Sequence, residues 1–149
     1  MARFSILEPE APGEWGDRTD ADLAARPPSI VRVHIELERR ITDDLVQLYP
    51  CFMVSARLAD ELGRTPLSGY QLAELEVSAA PRYRAAYPDE PLPELAWFKV
   101  FGRAGYADFG LSYDGHLVVS KAALLVLKKF SLVRAGKTKY ERDAGGWES

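Results

Sequence analysis

The chain is poor in the residues that build metal centres and disulfides, with one cysteine, Cys51, and two histidines, His34 and His116, among 149 residues. A single thiol excludes an internal disulfide and any multi-cysteine zinc site. Neither histidine has a second ligand at His-x-x-x-His or His-Glu-x-x-His spacing, so no metal and no cofactor are expected. Long apolar runs are also missing: nothing approaches the roughly 18 consecutive apolar residues that a membrane span requires. No Gly-x-Ser-x-Gly elbow is present, and Gly102-Arg103-Ala104-Gly105 lacks the Lys-Ser/Thr of a phosphate loop. Basic excess is lacking as well. Net charge is −3, and the late basic group of Lys128, Lys129, Arg134, Lys137, Lys139 and Arg142 follows a helix end, where cations complement the dipole. Nucleic acid and membrane are therefore not expected partners. The opening Met1–Glu8 meets an acid and Pro9 too early for a signal peptide, which leads to an expectation of a cytoplasmic protein.

What the chain does have is a phrase used twice. Phe52-Met53-Val54-Ser55-Ala56-Arg57-Leu58-Ala59-Asp60-Glu61-Leu62 is matched by Leu117-Val118-Val119-Ser120-Lys121-Ala122-Ala123-Leu124-Leu125-Val126-Leu127. In each, a run of strand formers meets a serine and a helical pattern begins at once. A serine there accepts one of the first helical N–H groups, which otherwise lack partners, so Ser55 and Ser120 are expected helix caps. Leu67 and Leu132 follow each helix about one turn later.

Around the two units, Arg3 to Glu8 reads as a strand. Residues 9–28, with four prolines and two glycines, read as a long surface loop with a helical turn at Thr19–Leu23. Val31, Val33, Ile35 and Leu37 alternate with Arg32, His34, Glu36 and Glu38, the pattern of a strand with one apolar and one wet face. Thr42 to Leu48 reads as a short helix with Asp43 and Asp44 in its first turn. Further strands are expected at Tyr70–Ser78, Leu95–Phe101 and Asp108–Tyr113, a helix at Pro81–Tyr87, and a tight turn at Asp114-Gly115. The second repeat helix runs from Lys121 to Phe130. The sum is an α+β fold of mostly antiparallel sheet and short helices, as one domain over 1–137 with a polar, frayed tail at 138–149.

Two surface features suggest a partner. Glu36, Glu38, Asp43 and Asp44 fall within nine residues and form an expected acidic patch. Trp97 and Phe98 make both faces of one strand bulky, so Trp97 is a candidate contact for another protein. Cys51 reads as a buried structural thiol.

Asp43-Asp44-Leu45 with Tyr49-Pro50-Cys51-Phe52-Met53-Val54-Ser55, then Leu67-Ser68-Gly69, then Leu117-Val118-Val119-Ser120 with its helix, resemble a group of uncharacterised bacterial proteins. That group occurs as multiple paralogues in actinobacteria and myxobacteria. Its layout is similar to immunity proteins linked to polymorphic toxins, including relatives with two Cys-x-x-Cys-Gly motifs. With one cysteine and no such motif, this chain carries over no zinc, and no functional residue transfers. The resemblance implies a non-enzymatic, protein-binding role against a toxin domain. Two alternatives stand beside it: a small-molecule-binding domain or degenerate enzyme with a pocket between sheet and helices, and a homodimer formed through strand edges.

Overall fold

The computed structural model describes residues 3–25 and 28–141, and among these the chain forms thirteen strands and three helices. In order they are β1 (Phe4–Glu8), β2 (Gly13–Trp15), β3 (Asp20–Asp22), β4 (Ser29–Arg32), β5 (His34–Leu37), β6 (Leu45–Leu48), β7 (Cys51–Ser55), α1 (Ala56–Gly63), β8 (Tyr70–Ala73), β9 (Glu76–Ala79), α2 (Pro81–Ala86), β10 (Leu95–Val100), β11 (Phe109–Leu111), β12 (Leu117–Ser120), α3 (Lys121–Leu127) and β13 (Gly136–Tyr140). This is an α+β fold, and its strands pair antiparallel except where β5 and β9 run parallel.

Two four-stranded sheets carry the core, one in the order β6-β7-β10-β8 and the other β11-β12-β1-β13. Their facing sides and the two repeat helices share one cluster, with Leu45, Phe52, Val54, Leu58, Leu62 and Phe98 meeting Leu7, Phe109, Leu117, Val119, Ala123 and Leu127. Tyr70, Phe98 and Phe109 pack as mutually tilted or edge-on rings 4.9–5.4 Å apart, a favoured arrangement for aromatic quadrupoles. A smaller sheet, β2-β5-β9, sits with α2 over the other face of β6 and β7, around Ile35, Leu37, Val46, Met53 and Tyr83.

Both expected caps are in place. Ser55 accepts the Leu58 N–H at 3.2 Å and Ser120 accepts the Ala123 N–H at 3.0 Å. Pro81 opens α2 at its first position, where a missing N–H costs nothing.

Several local expectations yield to pairing. Residues 42–48 are not a helix: Leu45–Leu48 is strand β6, laid against β7, whose Cys51, Phe52, Met53 and Val54 are all buried. Burying both faces of that hairpin outweighs the acid-first helix signal. The stretch 9–28 is not a plain surface loop, for it contains β2, paired to β5, and β3, paired to β4; the latter replaces the helical turn at Thr19–Leu23. The alternating strand at Val31–Leu37 breaks at Val33: Val31 is 68% exposed, while His34, expected on the wet face, is buried. Tyr70–Ser78 divides into β8 and β9, which belong to different sheets. The helix expected to reach Phe130 ends at Leu127. Of the tail at 138–149, residues 138–140 belong to β13, which pairs with β1, and 142–149 lie outside the described residues.

Candidate protein-binding surface

The four acids expected to form a patch do not form one. Asp43 and Asp44 are both buried. Asp44 Oδ1 accepts the Ser55 hydroxyl at 2.6 Å and Arg57 Nε at 2.8 Å; its Oδ2 accepts Arg57 Nη2 at 2.7 Å and the Ser131 N–H at 2.8 Å. Asp43 accepts the Ser131 hydroxyl and the N–H groups of Val133 and Arg134 at 2.7–3.0 Å. Burial alone would raise the Asp44 carboxyl, but the hydrogen bonds from Arg57, Ser55 and Ser131, with the charge of Arg57, outweigh it and hold the group below its ordinary range. Both aspartates therefore tie the segment after α3 to the start of β6. Glu36 is half-buried between Glu14 and Ser78 on neighbouring strands, and Glu38 is half-buried where β5 ends. Trp97 is also buried, packed with Val33 and Cys51 and capped by Lys99, whose Nζ lies 4.7 Å from the ring centre. It is not an exposed contact residue.

Asp108, which the sequence did not single out, repeats the role of Asp44. It accepts the Ser120 hydroxyl at 2.6 Å on Oδ1 and the Ser68 N–H at 3.0 Å on Oδ2. The signal was legible in outline: an Asp followed by an apolar residue stands eleven or twelve residues before each capping serine. Only the fold shows that the two pairs are made.

The histidines are committed as well. His34 Nδ1 accepts the Arg18 N–H at 3.1 Å, so the proton lies on Nε2, which donates to Ser78 Oγ at 2.8 Å. That tautomer cannot take the Ser78 proton as a base. His116 sits at the β11–β12 turn between Asp114, at 3.1 Å, and Glu8, at 3.5 Å. Among the described residues no three His, Cys, Asp or Glu side chains converge on a point where a metal would sit.

A further surface feature is an aromatic end. Tyr49 at the β6–β7 turn, Phe101 after β10 and Tyr113 at the β11–β12 turn are 60%, 68% and 78% exposed. The Tyr49 ring lies over Gly115, near enough that a Cβ added there would stand 2.6 Å from Cε1, so the two hairpin tips touch. Beside them opens a groove of about 270 Å³, lined by Ile30, Pro50, Cys51, Trp97, Phe101 and Leu111 among others, with Lys99 as its charged lining residue. It runs along β10 from Trp97 to Val100 and past the start of β7 at Cys51 and Phe52. Burial pushes the Cys51 thiol on its wall up to about 12, so it stays a neutral, apolar surface. No known protein family, curated protein or solved structure matches this chain.

Proposed function

We propose that this chain is a non-enzymatic, cytoplasmic protein-binding domain of the immunity-protein kind, and that its partner, a toxin domain, seats on the aromatic end. The observation that carries the reading is an apolar groove with the exposed ring of Phe101 on its wall and the exposed Tyr49 next in sequence to its lining residue Pro50, together with a third exposed ring, Tyr113, on the hairpin tip that Tyr49 touches at Gly115. Clustered tyrosine and phenylalanine supply contact area at little entropic cost and are common anchors of protein interfaces. The commitment of Ser55, Ser120 and His34 to structural hydrogen bonds supports the non-enzymatic part. The lining favours a partner that inserts an apolar side chain and sets a carboxylate against Lys99.

The test is binding to the product of the adjacent gene, measured for the wild type, for Tyr49→Ala/Phe101→Ala/Tyr113→Ala, and for Glu36→Gln/Glu38→Gln. The aromatic variant is expected to weaken binding at least 100-fold, in line with about 3 kcal/mol lost at interface anchors, while the acid variant binds as wild type. Equal binding by the wild type and the aromatic variant overturns the assignment of the surface.

A further inference from the structure

We infer that the two large sheets and their helices are two copies of one unit, arranged as a closed ring in which each copy clasps the loop of the other, with β2 to β5, β9 and α2 as additions outside the repeat. The first copy takes β6, β7, α1, β8 and β10; the second takes β11, β12, α3, β13 and, from the opposite end of the chain, β1. Each sheet has the same spatial order: hairpin, then the last strand of the unit, then the strand that follows the helix. The strand registers agree residue by residue. Phe98 pairs with Phe52 and Leu72, and Leu7 pairs with Leu117 and Lys137, where Phe52 and Leu117 each stand three residues before the capping serine. Leu45 faces Val54 as Phe109 faces Val119. The helices match in burial: Leu58 and Ala123, three residues past each serine, and Leu62 and Leu127, seven past, are all fully buried or nearly so.

The clasps cross between copies. Asp44 of the first holds Ser131, which follows the helix of the second, and Asp108 of the second holds Ser68, which follows the helix of the first. Backbone pairing repeats the exchange, with Asp44 N–H given to the Ser131 carbonyl at 2.9 Å and Phe109 N–H to the Ser68 carbonyl at 3.0 Å. The exchange is reciprocal at the level of the loops, with Ser131 eleven and Ser68 thirteen residues past their capping serines, as a two-fold relation between the copies produces when their loops have drifted in length. A common local motif would reproduce the serine cap but not the exchanged loops. β13 finishes at Tyr140 beside Phe4 at the start of β1, so these two ends stand where the first copy has its β8-to-β10 connection. Tyr49 and Tyr113, five residues past Asp44 and Asp108, are one position of the unit used twice.

One exposed difference between the copies bears on the clasps. Arg57, two residues past Ser55, grips Asp44, whereas the equivalent residue past Ser120 is Ala122. Equivalence means that Ala122→Arg transplants the pair onto Asp108. A structure of the Ala122→Arg variant tests this. Its guanidinium is expected within hydrogen-bond distance of the Asp108 carboxylate, as that of Arg57 is of Asp44, while in Leu125→Arg, three residues further on, Asp108 gains no such partner. A guanidinium in Ala122→Arg that turns away from Asp108 into solvent overturns the two-copy reading. A circular permutant joining Ser149 to Met1 and opened between Pro88 and Asp89 gives a second measure. It cuts the first copy at the connection equivalent to the Tyr140–Phe4 gap, and is expected to fold cooperatively with the wild-type sheet content; loss of cooperative unfolding counts against the ring.

Discussion

Ser55 gives its hydroxyl proton to Asp44 at 2.6 Å while it receives the Leu58 N–H at 3.2 Å. Donor and acceptor capacity are both spent in fixed directions, so the side chain orients the helix and the β6 entry together. Ser120 stands between Asp108 and the Ala123 N–H in the same way.

Removing either hydroxyl takes away a cap and strips a carboxylate of a donor. Ser55→Ala and Ser120→Ala are each expected to cost about 1–3 kcal/mol, from a cap near 1 kcal/mol and a hydrogen bond to a charged group. Urea denaturation at pH 7 measures this. A loss below about 0.5 kcal/mol for both would show that the geometry carries no stability.

Asp44 makes stability depend on acidity. Its folded carboxyl titrates below the unfolded value of about 3.9, so its contribution is complete above that value and is lost as pH falls through the lower, folded one. Asp44→Asn is expected to destabilise the protein by about 2–4 kcal/mol at pH 7. The gap between variant and wild type should narrow steadily below about pH 4. A gap that stays constant from pH 7 to pH 2 contradicts the assignment.

Cys51 is 4% exposed and its thiol is raised to about 12. At pH 8 it is expected to resist a disulfide reagent in the native protein and to react promptly in urea. Labelling rates that follow the unfolded fraction across a urea titration confirm it; rapid native labelling shows an open groove wall.

Gly69 and Gly115 both have positive φ, +96° and +86°, but differ in surroundings. A Cβ on Gly69 would run into the Phe109 carbonyl, which is backbone, whereas on Gly115 it meets the exposed ring of Tyr49. Alanine at either position pays about 1–2 kcal/mol in backbone strain, and Gly69→Ala is expected to be the more costly of the two. Thermal melts of the pair decide; the reverse order refutes the close-packing argument.

Much of the fold was legible where local chemistry and burial agree. The strand–Ser–helix units, the Pro81 helix, the strand at Leu95–Val100 and the Asp114-Gly115 turn follow from capping, proline geometry and apolar runs. Legibility failed where a partner distant in sequence sets the conformation. Asp43 and Asp44 are strong helix openers, yet their partners include Ser131, Val133 and Arg134, 87–91 residues away. His34 looked solvated because alternation places it opposite Ile35, but β9 and the Gly16–Arg18 turn cover that face. Trp97 was rightly seen as bulky on a second apolar face, and that face is filled by Val33 and Cys51. The aromatic end escaped notice because its parts come from separate turns: Tyr49 meets the Gly115 turn that carries Tyr113 only through the fold, 66 residues along the chain.

The place of β1 between β12 and β13 sets an order of events on the ribosome. The first copy is contiguous, with all its strands between Leu45 and Val100, and can close its sheet while the rest is still being made. β1 emerges before that copy but finds its neighbours only when Leu117–Tyr140 have left the exit tunnel. Throughout translation, then, Phe4 and Leu7 belong to a strand with both edges unpaired, the kind of segment that nascent-chain chaperones shield.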